Sequence, residues 1–322
     1  MNKKQLWKKG GLIYATDAKY PWSITHAQVP VVDDLGNGTW RVLFATRDLQ
    51  GRSCIAYVDV EAGQPQNITG YCDKPLLTRG ALGTFDDCGV MPSCIAQQNG
   101  IRYLYYIGWT VRNTIPYHNS IGIAVSEDNG STYTRLYDGP VITSSATEPY
   151  FCGTSCVVHW RGKWRNWYLS CTEWIPGDDR PEPRYHIKYA ESEDGVAWDR
   201  PGIVAIDYKS DDEGGIVKAS VLPKTDGSLG MWYSYRKAKD YRKNRLNSYR
   251  IGYAESMDAK TWTRLDERVR LDVSDSGWDS DMLAYPEVLI HSGEIFMLYN
   301  GNGFGQSGFG YATISNESET YE

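Results

Sequence analysis

Ionisable side chains recur at a nearly constant distance ahead of five short apolar segments of this chain. The segments can be aligned on Pro30, Pro92, Thr154, Ala219 and Pro286. Four to six residues upstream stand one histidine and four carboxylic acids, which are His26, Asp87, Glu148, Glu213 and Asp281. Carboxylates that crowd together shift one another's pKa values apart, so that one can donate a proton while another accepts one. The pattern therefore indicates general acid and base chemistry at a shared site, and its structural alternative is that these acids cap turns or bind a cation.

An internal repeat explains the even spacing of these acids. The segments IGIAVSEDNGSTYTRL, IKYAESEDGVAWDRP and IGYAESMDAKTWTRL align by eye, and SCIAYVDVEAG and FGYATISNE are weaker copies. The repeated alanine falls at Ala56, Ala124, Ala190, Ala254 and Ala312. An apolar strand and an aromatic strand precede each copy, so that each unit reads as four antiparallel strands. Such units repeated around an axis form a β-propeller, and we expect an all-β, five-bladed fold.

The repeat also predicts the domain organisation. We expect one propeller domain over residues 1–322, with blades at 22–82, 83–145, 146–209, 210–275 and 276–322. The last blade lacks a fourth strand, and WKKGGLI from Trp7 matches WDRPGIV from Trp198. Residues 7–15 are therefore expected to supply that strand and close the ring. The innermost strands would then bring the five ionisable positions around one axial pocket.

Composition and the N-terminal sequence restrict the cellular compartment and the classes of partner that we expect. The chain has 322 residues and a net charge of -6, which disfavours a nucleic-acid partner. Its N-terminus lacks the apolar core of a signal peptide, no stretch is long and apolar enough to span a membrane, and the seven cysteines are an odd number. We therefore expect a cytoplasmic protein with reduced thiols. Cys152 and Cys156 have no second pair at ligand spacing, so we expect no metal site and no cofactor, although a cation on the axis stays open.

Residues expected at the mouth of the ring suggest what it binds. The ends of the second strands and the loops that follow are rich in aromatic and polar side chains, which suit the apolar faces and polar edges of a sugar. The segment 236–250 holds seven Arg or Lys and one Asp, so we expect a sugar with an anionic end, such as a sugar phosphate or a nucleotide sugar. The candidate substrate-binding residues are Arg47, Arg52, Asp86, Trp109, His118, Glu173, Trp174, His186, Tyr235, Arg236, Arg242, Glu287, Asn300 and Asn302.

The five repeats, the segment RDLQGRS and the pattern of the first strands resemble the five-bladed propeller superfamily of glycoside hydrolase families 32, 43, 68, 117 and 130. The resemblance extends over essentially the whole chain and is closest to glycosidase-like proteins associated with bacterial surface-polysaccharide synthesis. It implies an active site at the axis that acts on a glycoside bond. In family 43 the acids stand directly beside the proline of the first strand, whereas here Pro30 follows Gln28-Val29 and Pro92 follows Val90-Met91. The catalytic residues of that family are therefore not transferred one by one.

The expected function is that of a glycosidase-like enzyme. Asp87 is expected to be the base or nucleophile and Glu148 the general acid. Glu213 or Asp281 would tune the pKa of Glu148. His26 and Arg47 would bind sugar hydroxyls or share the proton transfer. The alternatives are a phosphorylase or sugar-nucleotide-modifying enzyme, in which Arg236, Lys237 and Arg242 hold phosphate, and a non-catalytic carbohydrate-binding propeller. The sequence gives neither the sugar nor the oligomeric state.

Overall fold

The computed structural model describes residues 7–177, 179–315 and 321. In these residues the chain is nearly all β, with twenty strands, a 3-10 turn at Asp266–Arg268 and a four-residue helix α1 at Asn302–Gly305. No helix in these ranges is long and apolar enough to cross a membrane. All seven cysteines are described, and all are free thiols.

The strands pair as antiparallel four-stranded meanders, and the described residues form five of them. Meander 1 contains β2 (Thr25–Asp34), β3 (Thr39–Arg47), β4 (Ser53–Glu61) and β5 (Gln64–Tyr71). Meander 2 contains β6 (Gly89–Gln98), β7 (Ile101–Thr110), β8 (His118–Ser126) and β9 (Thr134–Arg135). Meander 3 contains β10 (Cys152–Trp160), β11 (Lys163–Ile175), β12 (Glu182–Ser192) and β13 (Val204–Ile206).

The other two meanders include the N-terminal strand. Meander 4 contains β14 (Glu213–Pro223), β15 (Leu229–Lys237), β16 (Arg250–Ser256) and β17 (Thr263–Arg264). Meander 5 contains β18 (Ala284–His291), β19 (Glu294–Asn300), β20 (Phe309–Ser315) and β1 (Lys8–Tyr14). β1 pairs antiparallel with β20, as the sequence predicts, so the N-terminal part of the chain completes the last meander.

Tight turns join the first and second strands of three meanders. Between β6 and β7 the turn is Asn99-Gly100, with φ of 52° and 79°. Two consecutive positive φ values define the type I′ turn, whose twist matches that of paired strands and which asparagine and glycine tolerate best. Arg161-Gly162 and Ser292-Gly293 repeat these angles, so the hairpins keep a common geometry around the molecule.

The third and fourth strands of meander 2 are joined by the segment SEDNGSTY, which resembles the Asp-box of sialidase propellers. Asp128 accepts hydrogen bonds from the Ser126 hydroxyl (2.7 Å) and the Thr132 amide (2.9 Å). The Thr132 hydroxyl and amide lower the pKa of Asp128 to about 2. The aspartate thus stabilises its own turn, and its role is structural.

Apolar clusters fill the spaces between meanders. One cluster joins Leu43 and Ile55 of meander 1 to Leu104 of meander 2, and similar clusters lie between meanders 2 and 3, 3 and 4, and 4 and 5. Another packs Phe309 of meander 5 against Phe44 of meander 1. Contacts therefore run from each meander to the next and return to the first.

Candidate functional site

A cavity of about 320 Å³ lies where the first strands of the five meanders meet. Each of these strands contributes to its lining, through Gln28, Met91, Thr154, Val217 and Tyr285 among others. The ends of the second strands add further walls, including Trp109 from β7 and Leu169 from β11. The cavity is therefore built by all five meanders rather than by one pair.

Strained backbone turns several residues into this cavity. His26, Val29 and Tyr285 all line it and have positive φ values of 66°, 56° and 56°. The strand pairing shifts register around each of them, as at a β-bulge. A bulky or β-branched residue adopts this conformation only when its surroundings enforce it, and such strain concentrates at functional sites. Asn300 stabilises this conformation in the segment of His26 and Val29, since its carboxamide oxygen accepts from the Val29 amide (2.7 Å) and its nitrogen donates to the Ala27 carbonyl (2.7 Å).

Arg47, half-buried at the end of β3, supplies positive charge to the cavity and pairs with no carboxylate of the described residues. Its two terminal nitrogens make only long contacts, to the Gln28 side-chain oxygen (3.3 Å) and to the Gly51 carbonyl (3.4 Å). Its Nε is buried and has no hydrogen-bond partner among the described residues. Burial lowers the pKa of Arg47, but a guanidinium remains charged at neutral pH. A buried donor of this kind is suited to an acceptor that a ligand brings.

Two further arginines lie at the cavity and at a hollow beside it. Arg180 and Arg242 line both the cavity and the adjoining hollow, which has a volume of about 400 Å³. Arg242 donates to Glu182 at 2.9 Å, and Arg180 lies 3.5 Å from the same carboxylate. Lys239 and Lys243 also line the hollow. Asp179, Glu182 and Asp240 line it too, so four cationic and three acidic side chains leave a small excess of positive charge beside the cavity.

Tyrosines make up much of the remaining wall. Burial raises the pKa values of Tyr117, Tyr241, Tyr249 and Tyr285 above the ordinary value. These hydroxyls therefore stay protonated at neutral pH and can donate hydrogen bonds to ligand oxygens. Among the described residues that line the cavity, none is Asp or Glu.

The acids that recur in the sequence are held inside their own meanders instead. Asp86 is buried and accepts from the Tyr106 hydroxyl of β7 (3.2 Å) and from Arg135 of β9 (2.7 Å). Asp87, beside it, is half-buried and accepts from the Gly83 amide (3.0 Å). Neither side chain lines the cavity.

Glu148 occupies the corresponding place in meander 3. It is buried and accepts from the hydroxyls of Tyr168 (2.8 Å) and Ser170 (3.2 Å) on β11. Lys188 and Arg200 approach it at 3.6 and 3.7 Å. Its hydrogen-bonding capacity is thus used within the meander.

The last two meanders repeat the arrangement. Glu213 is buried against Arg264 of β17, with contacts of 2.8 and 3.1 Å. In meander 5 the buried acid is Asp279, which accepts from Tyr299 (3.0 Å) and Lys9 (2.7 Å). Asp281 is exposed, and its amide donates to the Asn302 side chain (2.7 Å).

The predicted acids Asp87, Glu148, Glu213 and Asp281 therefore do not form a ring around the cavity. The spacing is real, but the buried acids of meanders 2 to 5 tie the start of the first strand to later strands of the same meander. Pairing within a folding unit explains an acid in each of these four meanders, whereas a single catalytic site does not require one.

The structure brings four of the predicted site residues to the cavity, namely His26, Arg47, Trp109 and Arg242. Others are engaged elsewhere. Arg52 pairs with Asp48 (2.7 Å), Glu173 with Arg184 (2.8 Å), Glu287 with the buried Lys218 (2.7 Å) and His186 with Asp207 (3.1 Å). The side-chain oxygen of Asn302 accepts a hydrogen bond from the Asp281 amide. His118 and Tyr235 lie in strands and outside the cavity lining.

Two of the predicted site residues, Trp174 and Arg236, lie directly behind the side chains that line the cavity. Trp174 packs against Tyr117 and Phe151, with ring centroids 5.4 and 5.6 Å apart. Arg236 is buried beneath the tyrosines, and its guanidinium lies 3.6 Å from the ring centre of Tyr241.

The tyrosines that line the cavity are not among the site residues predicted from the sequence. Tyr185 and Tyr249 each stand five residues ahead of the repeated alanines Ala190 and Ala254, and Tyr285 adjoins the alignment residue Pro286. This recurrence was available as a signal. It was obscured because tyrosine is frequent throughout the chain, with 24 copies.

His26 gives the fold a measurable pH dependence. Burial and the nearby Arg47 lower its pKa to about 4, from 6.5. Between these values the unfolded chain binds a proton that the folded protein does not, so stability falls as the pH drops from about 6.5 towards 4. We expect His26→Gln to reduce the loss of stability between pH 7.5 and pH 5 by about 1 kcal/mol, after allowance for partial exposure.

Urea unfolding at the two pH values measures this difference. His159→Gln is the matched control, since His159 is exposed at the far end of β10. Equal pH dependence in wild type and His26→Gln would show that the cavity does not hold His26 neutral.

Comparison with known proteins gives relatives for the whole chain. No protein-family model matches it. It is 37% identical over 310 residues to the protein described as "Uncharacterized protein Rv1502" of Mycobacterium tuberculosis (strain ATCC 25618 / H37Rv), covering 96% of this chain and 99% of that one. The same values hold for MT1551 of strain CDC 1551 / Oshkosh.

Solved structures share the fold at low identity. A BT0996–RGII complex superposes with a TM-score of 0.73 at 17% identity, covering 97% of this chain and 92% of that one. Another structure is described under the GH130 family of mannoside phosphorylases, which contains glycoside hydrolases that target β-1,2 mannosidic linkages in Candida mannan. It superposes with a TM-score of 0.66 at 16% identity, covering 97% of this chain and 94% of that one. The chain belongs to the same family as Rv1502 of Mycobacterium tuberculosis and has the fold of glycoside hydrolase-like propeller proteins.

Proposed function

We propose that this chain is a glycosidase-like enzyme whose axial cavity binds a glycoside with an anionic group. In this proposal the five meanders are the blades of one propeller domain, with boundaries near 22–82, 83–145, 146–209, 210–275 and 276–322 plus 7–15. The apolar cluster between meanders 5 and 1 supports this closed arrangement. The cavity then lies on the propeller axis, where the first strands converge.

The observation that carries the proposal is the unpaired guanidinium of Arg47. Arg47 is half-buried, and a charge partly removed from water is costly unless a partner compensates it. The described residues provide no carboxylate for Arg47, and its buried Nε lacks an acceptor. A phosphate or carboxylate group of a ligand would supply both the charge and the acceptor.

The remaining wall supports a sugar as the body of that ligand. Trp109 and Phe151 offer apolar ring surface for a sugar face, and the protonated tyrosines offer donors for its oxygens. The indole of Trp109 is held in place, because it donates to the Ser53 hydroxyl at 2.9 Å. A mixture of apolar walls and a few placed polar groups is typical of small-molecule sites.

Phosphorolysis is the second candidate, and the lack of a carboxylate among the described lining residues favours it. Hydrolysis by the common mechanisms uses two carboxylic acids that flank the bond. A phosphate ion held by Arg47 would itself attack the anomeric carbon, so this route needs no carboxylate nucleophile or base. The arginines would then bind the co-substrate rather than a group of the glycoside.

A ligand panel tests the proposal. Isothermal titration calorimetry with inorganic phosphate, sugar 1-phosphates, nucleotide sugars, alkyl glycosides of uronic acids and alkyl glycosides of neutral sugars should detect binding of anionic members only. That binding should weaken as salt rises, since salt screens charge interactions. Mass spectrometry of the same mixtures, with and without phosphate, would detect hydrolysis or phosphorolysis. Equal affinity for neutral and anionic sugars would refute the anionic site, and binding without any product would leave a carbohydrate-binding propeller.

A further inference from the structure

Arg236 is a buried guanidinium that pairs with no carboxylate of the described residues. Its side chain is 1% exposed. It donates to the carbonyls of Pro183 (2.8 Å) and Lys237 (2.8 Å) and, from Nε, to the Tyr185 hydroxyl (3.3 Å). It forms no ion pair with any carboxylate of the described residues. Removing a charge from water in this way lowers stability, so its presence calls for a role beyond packing.

The charge is directed at the hydroxyl of Tyr185, a residue that lines the cavity. Tyr185 lines the cavity, and its hydroxyl also makes a hydrogen bond with the hydroxyl of Tyr249. Burial raises the pKa of Tyr249, which therefore stays protonated and can act as the donor in this pair. If Tyr249 and Arg236 both donate to the Tyr185 oxygen, the proton of Tyr185 is free to point towards a ligand.

The backbone beside Arg236 and Tyr185 leaves room for both side chains. Gly215 of β14 pairs in parallel with Tyr185. A Cβ atom at Gly215 would lie 2.7 Å from Arg236 Nε and 2.8 Å from the Tyr185 ring. Only glycine allows the strand to approach the arginine and the tyrosine this closely.

We propose that Tyr185 is the proton donor that assists departure of the leaving group from the glycoside, and that Arg236 and Tyr249 position and stabilise it. The inference rests on the proposed function, since it assigns a residue to that reaction. The carbon–oxygen bond to the leaving group breaks, and the Tyr185 proton moves to the departing oxygen. An oxygen of water or inorganic phosphate forms the new bond to the anomeric carbon. The proton released by that nucleophile restores the Tyr185 hydroxyl. Arg236 balances the negative charge on Tyr185 in the interval.

The first arm of the test needs no substrate. The full chain is treated with phenyl fluorosulfate, which forms a bond from tyrosine oxygen to sulfur while fluoride and the phenolic proton leave. Peptide mass spectrometry then locates the label. Tyr185 should react at least about 10-fold faster than the exposed Tyr71 and Tyr137, because a neighbouring cation stabilises the attacking oxygen. Arg236→Met should remove this preference and Arg236→Lys should restore part of it.

If Arg236→Met fails to fold, Tyr249→Phe tests the same point. It removes the other donor to the Tyr185 oxygen and should also slow labelling at Tyr185. Labelling of Tyr71 and Tyr137 without preference for Tyr185 would overturn the proposal. An unchanged preference in folded Arg236→Met would overturn it as well.

The second arm uses a glycoside that the panel shows to be cleaved. Tyr185→Phe should lose at least about 100-fold in kcat on an alkyl glycoside but much less on the 4-nitrophenyl glycoside of the same sugar, whose leaving group needs little protonation. Equal losses on both would overturn the proton-donor role. Selective labelling of Tyr185 without turnover of any panel member would also overturn it, while anion binding at Arg47 would still stand.

Discussion

Arg47→Met should weaken the binding of an anionic ligand by roughly 30- to 5000-fold while leaving the fold intact. Truncating one partner of a buried charge pair costs about 2–5 kcal/mol of binding free energy. In the free protein the partner is missing, so the substitution removes an uncompensated charge instead of breaking an ion pair. Folding stability should therefore stay constant or increase.

Arg52→Met is the matched control for this effect. Arg52 lies five residues away, does not line the cavity and pairs with Asp48 at 2.7 Å. Its loss should change ligand affinity little, because an exposed ion pair contributes at most about 1 kcal/mol. Calorimetric Kd values and urea unfolding of both variants give the comparison. Retention of affinity in Arg47→Met would place the anion elsewhere, with the pair Arg180 and Arg242 as the next position to test.

Features of the fold that depend on local repetition were predictable from the sequence. The alanines of the third strands and the fourth strand supplied by the N-terminus follow from comparing the repeats with one another, and the Asp-box turn at Asp128 follows from the pattern of its own turn. Each pattern reflects a local physical need, such as strand alternation or a turn that caps itself. The structure therefore differs little from the expected strand order.

The site was harder to predict because it depends on backbone bulges and on partners distant in sequence. The positive φ values at His26, Val29 and Tyr285 change which side chains face the axis, and a register change of one residue moves a side chain to the opposite face. The acids are engaged by groups such as Arg135, 49 residues after Asp86. One sequence reveals the spacing of such acids, but it does not reveal which cation lies beside them.

Glu148→Ala should lower the free energy of unfolding by about 3 kcal/mol without changing ligand affinity. The substitution removes the acceptor of the Tyr168 and Ser170 hydroxyls and leaves those buried donors unpaired. For a chain of this length the loss corresponds to a fall in Tm of roughly 5 °C. Glu173→Ala is the control, because Glu173 is 44% exposed beside Arg184 and should contribute less than about 1 kcal/mol. A general acid would behave in the opposite way, since its removal would abolish turnover while stability stayed near that of wild type. Measuring Tm, Kd and product formation on the same two variants therefore separates an acid that holds its meander together from one that acts on a substrate.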